Sequence, residues 1–261
     1  MDFQAIIYEK KDHVATITLN QPQVLNALVQ AEFDELADVT KKIAQDDDIR
    51  VVVLTGAGKA FCAGGDISRF KEGFTLESGY EYVDKLHPWC LDWANLSKPT
   101  IAAVNGAAVG AGMSIMLMCD ISIASSKAKF GSAFINMGLV PDLGAAYYLP
   151  RVVGIQKAKE MLFTGHNIDS AEALSIGLVN RVVEHENFME EVYALAFQLA
   201  QGPSFALQNT KKLVNMGMDM DYRGLLEAES FVQALNLSSG DSKEAVDAFL
   251  NKRKPVFGSI Q

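Results

Sequence analysis

Cysteine is scarce in this chain. Cys62, Cys90 and Cys119 are the only three in 261 residues, an odd number with no CxxC spacing. That excludes a disulfide framework or a structural zinc site and fits a reducing, cytoplasmic compartment. Positive charge is also short: 23 Lys and Arg against 32 Asp and Glu leave a formal charge of −9. Such a balance argues against nucleic acid or an anionic membrane as the main partner. No apolar run reaches the ~20 residues that a spanning helix needs. The opening MDFQAIIYEKKDH lacks the apolar core and cleavage site of a signal peptide, and the closing GSIQ is not a peroxisomal address. The histidines His13, His87, His166 and His185 show no metal-ligand spacing. Neither GxGxxG nor GxxxxGK[ST] occurs, so dinucleotide and P-loop readings have no support. What remains, 49% hydrophobic and 21% charged, is the composition of a soluble globular protein of one or two domains.

The chain opens with two β-prone runs, Phe3 to Tyr8 and Val14 to Leu19, separated by Lys10, Lys11 and Asp12, which predicts a hairpin. Turn chemistry at Asn20 and Pro22 follows, with Asn26 as a candidate cap for a helix that presents Phe33, Leu36 and Ile43 on one face. Val51 to Leu54, Ile101 to Val104 and Ile121 to Ala124 are short continuous apolar runs, the signature of buried strands. Residues 71–98 predict helix, ending at Ser97-Lys98-Pro99. The recurring order of buried strand, small-residue turn and helix predicts a layered α/β fold. Beyond about residue 185 the pattern turns helical, with Phe188, Val192, Leu195 and Leu199, and later Val246, Phe249 and Leu250, at helical spacing. Residues 1–200 are therefore expected to form the core with the active site, and 201–261 a C-terminal helical region.

Two of the buried strands lead into turns of small residues, Ala63-Gly64-Gly65-Asp66 and Gly110-Ala111-Gly112. Such turns permit close backbone approach and can expose a row of amide N–H groups. For either one alone, tight strand-to-helix packing is the better explanation of the composition.

The segments KAFCAGGDI (59–67), VNGAAVGAGMSIMLMCDISIAS (104–125) and FGSAFINMGLVPDLGAAYYLPRVVG (130–154) together resemble the crotonase, or enoyl-CoA hydratase/isomerase, superfamily. The resemblance runs from LNQPQVLNAL (19–28) to AFLNKRKPVF (248–257). It implies a spiral of ββα units with a C-terminal helical trimerisation region, assembled as a homotrimer or a dimer of trimers. It implies an acyl-CoA thioester as substrate, with coenzyme A part of that substrate and no separate cofactor or metal. Gly65 and Ala111 match the positions whose N–H groups hold the thioester oxygen. Removing a proton beside that carbonyl puts negative charge on the oxygen, and fixed amides suit that charge.

Hydratases of the superfamily carry two glutamates that position and activate water. Those positions are Ser114 and Phe134 here, and neither is a carboxylate. Asp142 instead sits where several isomerases of the superfamily keep a single acid/base, among them ring-1,2-epoxyphenylacetyl-CoA isomerases and some Δ3,Δ2-enoyl-CoA isomerases. One carboxyl suffices to move a proton from C2 to C4, and an apolar Phe134 would help to keep water out. On local sequence alone Asp142 is also a good turn residue. Asp66 reads as a helix cap. His87 reads as a helix-surface residue, with a dehalogenase-like role as the alternative, and Tyr147 and Tyr148 are expected beneath the active-site helix. Lys252, in a basic cluster with Arg253 and Lys254 on the last helix, matches a coenzyme A phosphate contact, in its own or a neighbouring subunit, or a solvated helix end. The family's lysine in the first turn is Ser68 here, with Arg69 as a substitute. Ala63, Asp66 and Ile67 are the expected backbone wall for the adenine. An atypical hydratase and a non-catalytic acyl-CoA-binding member are the competing readings.

Overall fold

The computed structural model describes residues 3–71 and 73–258; the side chain of Arg69, and with it the phosphate contact expected there, lies outside the described set. Strands β1 (Ile6–Lys11) and β2 (Val14–Leu19) form the expected hairpin. Its turn is only Asp12-His13, both with positive φ (50° and 65°), the geometry that matches the twist of paired strands. Lys10 and Lys11 therefore belong to the strand and not to the turn. The Lys10 ammonium is held by Asp46 at 2.7 Å and Asp48 at 2.9 Å.

Helix α1 (Gln30–Gln45) buries Phe33, Leu36, Val39 and Ile43. It is capped by Glu32, whose carboxylate accepts the Val29 N–H at 3.0 Å. Asn26, the candidate cap, is buried elsewhere.

Paired strands then repeat. The pair β3 (Val51–Gly56) and β4 (Ala60–Cys62) is followed by α2 (Leu76–Asp84) and α3 (His87–Ala94). The pair β5 (Thr100–Val104) and β6 (Ala107–Val109) leads into α4 (Ala111–Leu117). After β7 (Ile121–Ser125) and β8 (Lys129–Gly131) come α5 (Ala145–Val153) and α6 (Ile155–Thr164). The spiral closes with β9 (Asn167–Asp169), α7 (Ser170–Ser175) and β10 (Arg181–Val183). The first strand of each pair joins a six-stranded sheet of order β1-β2-β3-β5-β7-β10, and the second joins a four-stranded sheet of order β4-β6-β8-β9. This is the expected α/β spiral of ββα units.

The strands of the larger sheet are buried on both faces, which is why they read as unbroken apolar runs. Val52, Leu54, Ala102 and Val104 face the main core with α1, α3 and α4. Val51, Val53, Ile101 and Ile123 face α8 (Phe188–Ala200), which contributes Phe188, Val192 and Ala196. Helices α9 (Ser204–Gly217), α10 (Tyr222–Leu237) and α11 (Gly240–Leu250) follow, α9 packing on α10 and α10 on α11. Their apolar residues are not covered within the chain: Phe231 is 69%, Phe249 83% and Leu250 72% exposed. Among the described residues no helix is long and apolar enough to cross a membrane, and no three His, Cys, Asp or Glu side chains gather to hold a metal.

Candidate active site

The two small-residue turns meet. Gly64 has φ 108°, and a Cβ there would stand 3.0 Å from the Val109 carbonyl oxygen and 3.7 Å from the Ala111 nitrogen. Its missing side chain lets the first turn lie against the second. Leu28 N–H donates to the Gly64 carbonyl at 2.7 Å, and Asp66 N–H donates to the Leu28 carbonyl at 3.0 Å. These bonds bracket Gly65 in a parallel bridge, so its own N–H points away from Leu28 and makes no hydrogen bond among the described residues. Ala111 opens α4, and the N–H of a first helical residue has no carbonyl one turn back to bond. Neither amide makes a hydrogen bond among the described residues, and the turns that carry them are in contact at Gly64.

Their placement is enforced from below. Helix α4 can start so close to β4 only because residue 112 is glycine: a Cβ there would lie 2.1 Å from the Cys62 carbonyl oxygen. Asn26, 1% exposed, donates to the carbonyls of Ala57 (3.0 Å), Ala60 (2.8 Å) and Phe61 (3.2 Å), while its Oδ1 accepts the Gln21 N–H at 2.9 Å. One amide side chain thereby clamps the strand that delivers Gly65. Ala63 is fixed by its N–H donating to the Leu25 carbonyl at 3.0 Å.

Asp66 is the expected cap, accepting from Ser68 N–H at 2.9 Å and from Ser68 Oγ at 2.8 Å. Ile67, beside it, is exposed. Ser114 is fully buried and its hydroxyl donates to the Gly110 carbonyl at 3.3 Å, so it faces its own helix. Phe134 sits in a 3-10 turn (Ala133–Met137) with its ring edge 4.0 Å from where a Gly110 Cβ would be. An apolar edge closes the second turn.

Asp142 leaves that same segment just ahead of α5, which packs on α4. Its carbonyl accepts the Ala145 N–H at 3.0 Å, and the next residue, Leu143, is buried with φ 48°. A buried leucine in that region is strained backbone of the kind found at functional sites. The Asp142 Oδ1 is buried with no hydrogen-bond partner among the described residues. Burial pushes this carboxyl up to about 6, against smaller opposing effects of its own backbone N–H and of His87. A poised, unpaired carboxyl of this kind is suited to taking and returning protons.

His87 opens α3, exposed, with Nδ1 3.5 Å from Asp84. Cys90, one turn on, was not singled out by the sequence. Burial, and then the charge of Asp142, push its thiol up to about 11. Both residues line a cavity of about 970 Å³ between α3, α5 and α9, bordered by Leu143 and Gly144 beside the catalytic candidate. Tyr148 lines it too. Tyr147 does not pack beneath a helix as expected: its hydroxyl donates to Asp219 at 2.9 Å and the Arg151 guanidinium sits 3.6 Å from its ring centre. The ring ties α5 to the segment after α9.

Lys252 lies at the exposed C-terminal end of the chain's last helix. Helix α11 ends at Leu250, and Lys252 follows it with φ 54°, exposed. The expected basic cluster is broken up because Arg253 folds back onto Glu244 and Asp247, each at 2.6 Å.

A chain wound from strand–turn–strand–helix units into two sheets, with two glycine turns meeting at a helix start, has the crotonase-type spiral. Comparison with known proteins agrees: the enoyl-CoA hydratase/isomerase family model matches residues 9–260. The chain belongs to that family. It is 40% identical to a short-chain-enoyl-CoA hydratase of Clostridium acetobutylicum, covering 97% of each chain. It is 37% identical to a 1,2-epoxyphenylacetyl-CoA isomerase of Escherichia coli, covering 94% of each. The structure of an enoyl-CoA hydratase from Bacillus anthracis superposes with a TM-score of 0.92 at 32% identity, covering 97% of this chain and 99% of that one. The protein is thus an enzyme of the hydratase/isomerase superfamily, and an acyl-CoA thioester fits that family as substrate.

Proposed function

We propose that the chain is an isomerase that shifts a double bond in an acyl-CoA thioester, with Asp142 as its single acid/base. The observation that carries this reading is the distribution of carboxyls. The two positions a water-adding pair would occupy hold a buried hydroxyl, Ser114, and a phenyl ring, Phe134, while Asp142 is half-buried, with one buried oxygen that has no partner among the described residues and a carboxyl pushed up to about 6.

The thioester oxygen of a 3-enoyl-CoA accepts from the N–H groups of Gly65 and Ala111. The Asp142 carboxylate takes a proton from C2, and the electron pair of that C–H bond spreads over a dienolate whose charge the two amides hold. The same carboxyl returns the proton at C4, leaving the double bond between C2 and C3. No water enters the balance, and the Phe134 ring favours its exclusion.

A hydratase is the second reading, favoured by the printed name of the Clostridium relative. Incubating the enzyme with 2-enoyl-CoA and 3-enoyl-CoA in ¹⁸O-labelled water separates the two. Isomerisation gives unlabelled enoyl product; labelled hydroxyacyl-CoA as the main product would overturn the isomerase reading.

The assembly we propose is a homotrimer or a dimer of trimers, supported by the uncovered Phe231, Phe249 and Leu250 on the C-terminal helices. Sedimentation equilibrium checks it, and a monomeric mass at micromolar concentration would refute it.

A further inference from the structure

The 970 Å³ cavity comes nearest to the candidate site at Leu143 and Gly144, the two residues that follow Asp142. The far wall comes from α9 and is polar, and most of its charges are already committed. Lys211 pairs with Asp120 at 2.8 Å and donates to the Lys98 carbonyl at 3.1 Å. Asp219 accepts from Tyr147 and lies 4.0 Å from Arg151. Two groups are left over. The Lys212 ammonium makes no ion pair or hydrogen bond among the described residues, and the Asn209 Nδ2 is buried without a partner. Both residues line the cavity.

The wall therefore has a surplus of donors, one of them cationic. A hydrocarbon tail laid against it would leave the Asn209 amide unsatisfied. An anionic acceptor would neutralise Lys212 and offer the Asn209 amide, shut off within the wall as it stands, a partner to turn towards. The volume is at the upper end of what small-molecule sites enclose, more than a short unbranched acyl chain needs.

We propose that the acyl group of the substrate runs past Asp142 into this cavity and ends in a carboxylate held by Lys212 and Asn209. This assignment rests on the reading that the thioester sits at Gly65 and Ala111 with its acyl carbons beside Asp142.

Calorimetric titration of the full chain with hexanoyl-CoA and with its ω-carboxylated counterpart tests it without needing turnover. The carboxylated thioester is expected to bind about tenfold more tightly, the worth of a charge-assisted hydrogen bond in a half-open site. Lys212→Met should erase that preference and leave hexanoyl-CoA affinity unchanged; Lys212 is exposed, so the fold is not at stake. Asn209→Leu should reduce the preference and strengthen hexanoyl-CoA binding. Equal or tighter binding of hexanoyl-CoA by the unmodified enzyme, or equal weakening of both ligands by Lys212→Met, would overturn the assignment. Deuterium exchange at C2, compared between the enzyme and Asp142→Asn, reports on the catalytic reading separately. Exchange that survives Asp142→Asn, with the carboxylate preference intact, would remove Asp142 from the mechanism and leave the cavity assignment standing.

Discussion

The two sides of the site are built by opposite means. The side proposed to hold the thioester oxygen is backbone, and its geometry is over-determined by Gly64, Gly112, a parallel bridge and the three carbonyls gripped by Asn26. The side proposed to move the proton is one side chain on a strained turn, with a buried oxygen that has no partner among the described residues. One side can be damaged only through its supports; the other is exposed to a single change of atom. Chemistry that needs fixed dipoles is entrusted to rigid elements, while chemistry that needs a changing charge is left under-bonded.

That contrast gives the order of expected effects. Asp142→Asn should lower kcat by roughly 10³-fold with KM almost unchanged, since only the proton acceptor is lost; stopped-flow turnover of a 3-enoyl-CoA measures this, and retention of activity would erase the distinction. On the backbone side, Gly112→Ala must push α4 away from the Cys62 carbonyl and with it Ala111 N–H. A loss of about 10²-fold in kcat is expected, the value of one misplaced oxyanion donor, accompanied by a lower melting temperature. Asn26→Ala orphans buried carbonyls far from any substrate atom. Its predicted cost is about 2 kcal/mol of stability in urea unfolding, with a smaller drop in rate. The pH responses sharpen the comparison further. Asp142 must be ionised to act, so kcat/KM should fall with decreasing pH through about 6.

Stability moves the other way. The folded carboxyl binds its proton more tightly than the unfolded one, so it costs stability progressively from about pH 4 to 6 and fully above that range. Asp142→Asn should therefore melt higher than the parent at pH 7.5, by on the order of 2 kcal/mol, with the gap closing towards pH 4. A gap independent of pH would assign the gain to something other than the charge.

Much of the framework was legible because its signals are local. Continuous runs such as Val51 to Leu54 announce strands buried on both faces, and Phe33, Leu36 and Ile43 announce the inward face of α1. The turns and Asp142 were legible through resemblance more than through residue type. Asn26 was misread as a cap because its partners lie 31 to 35 residues away, a closure no local pattern encodes. Lys252 was grouped with Arg253 because adjacency in sequence says nothing of a chain turning back onto Glu244. Cys90 and the α9 wall were invisible for a related reason: which way a helix presents its side chains to another helix is settled only in three dimensions.

Cys90 carries one last consequence. A thiol that lines the cavity proposed for the acyl group would be chemically able to exchange with a thioester there, capturing the acyl group and releasing coenzyme A. Attack requires the thiolate, and a thiol pushed up to about 11 is ionised in only about one molecule in ten thousand at pH 7. The burial that raises both groups would thus favour Asp142 as a base while keeping the neighbouring sulfur protonated.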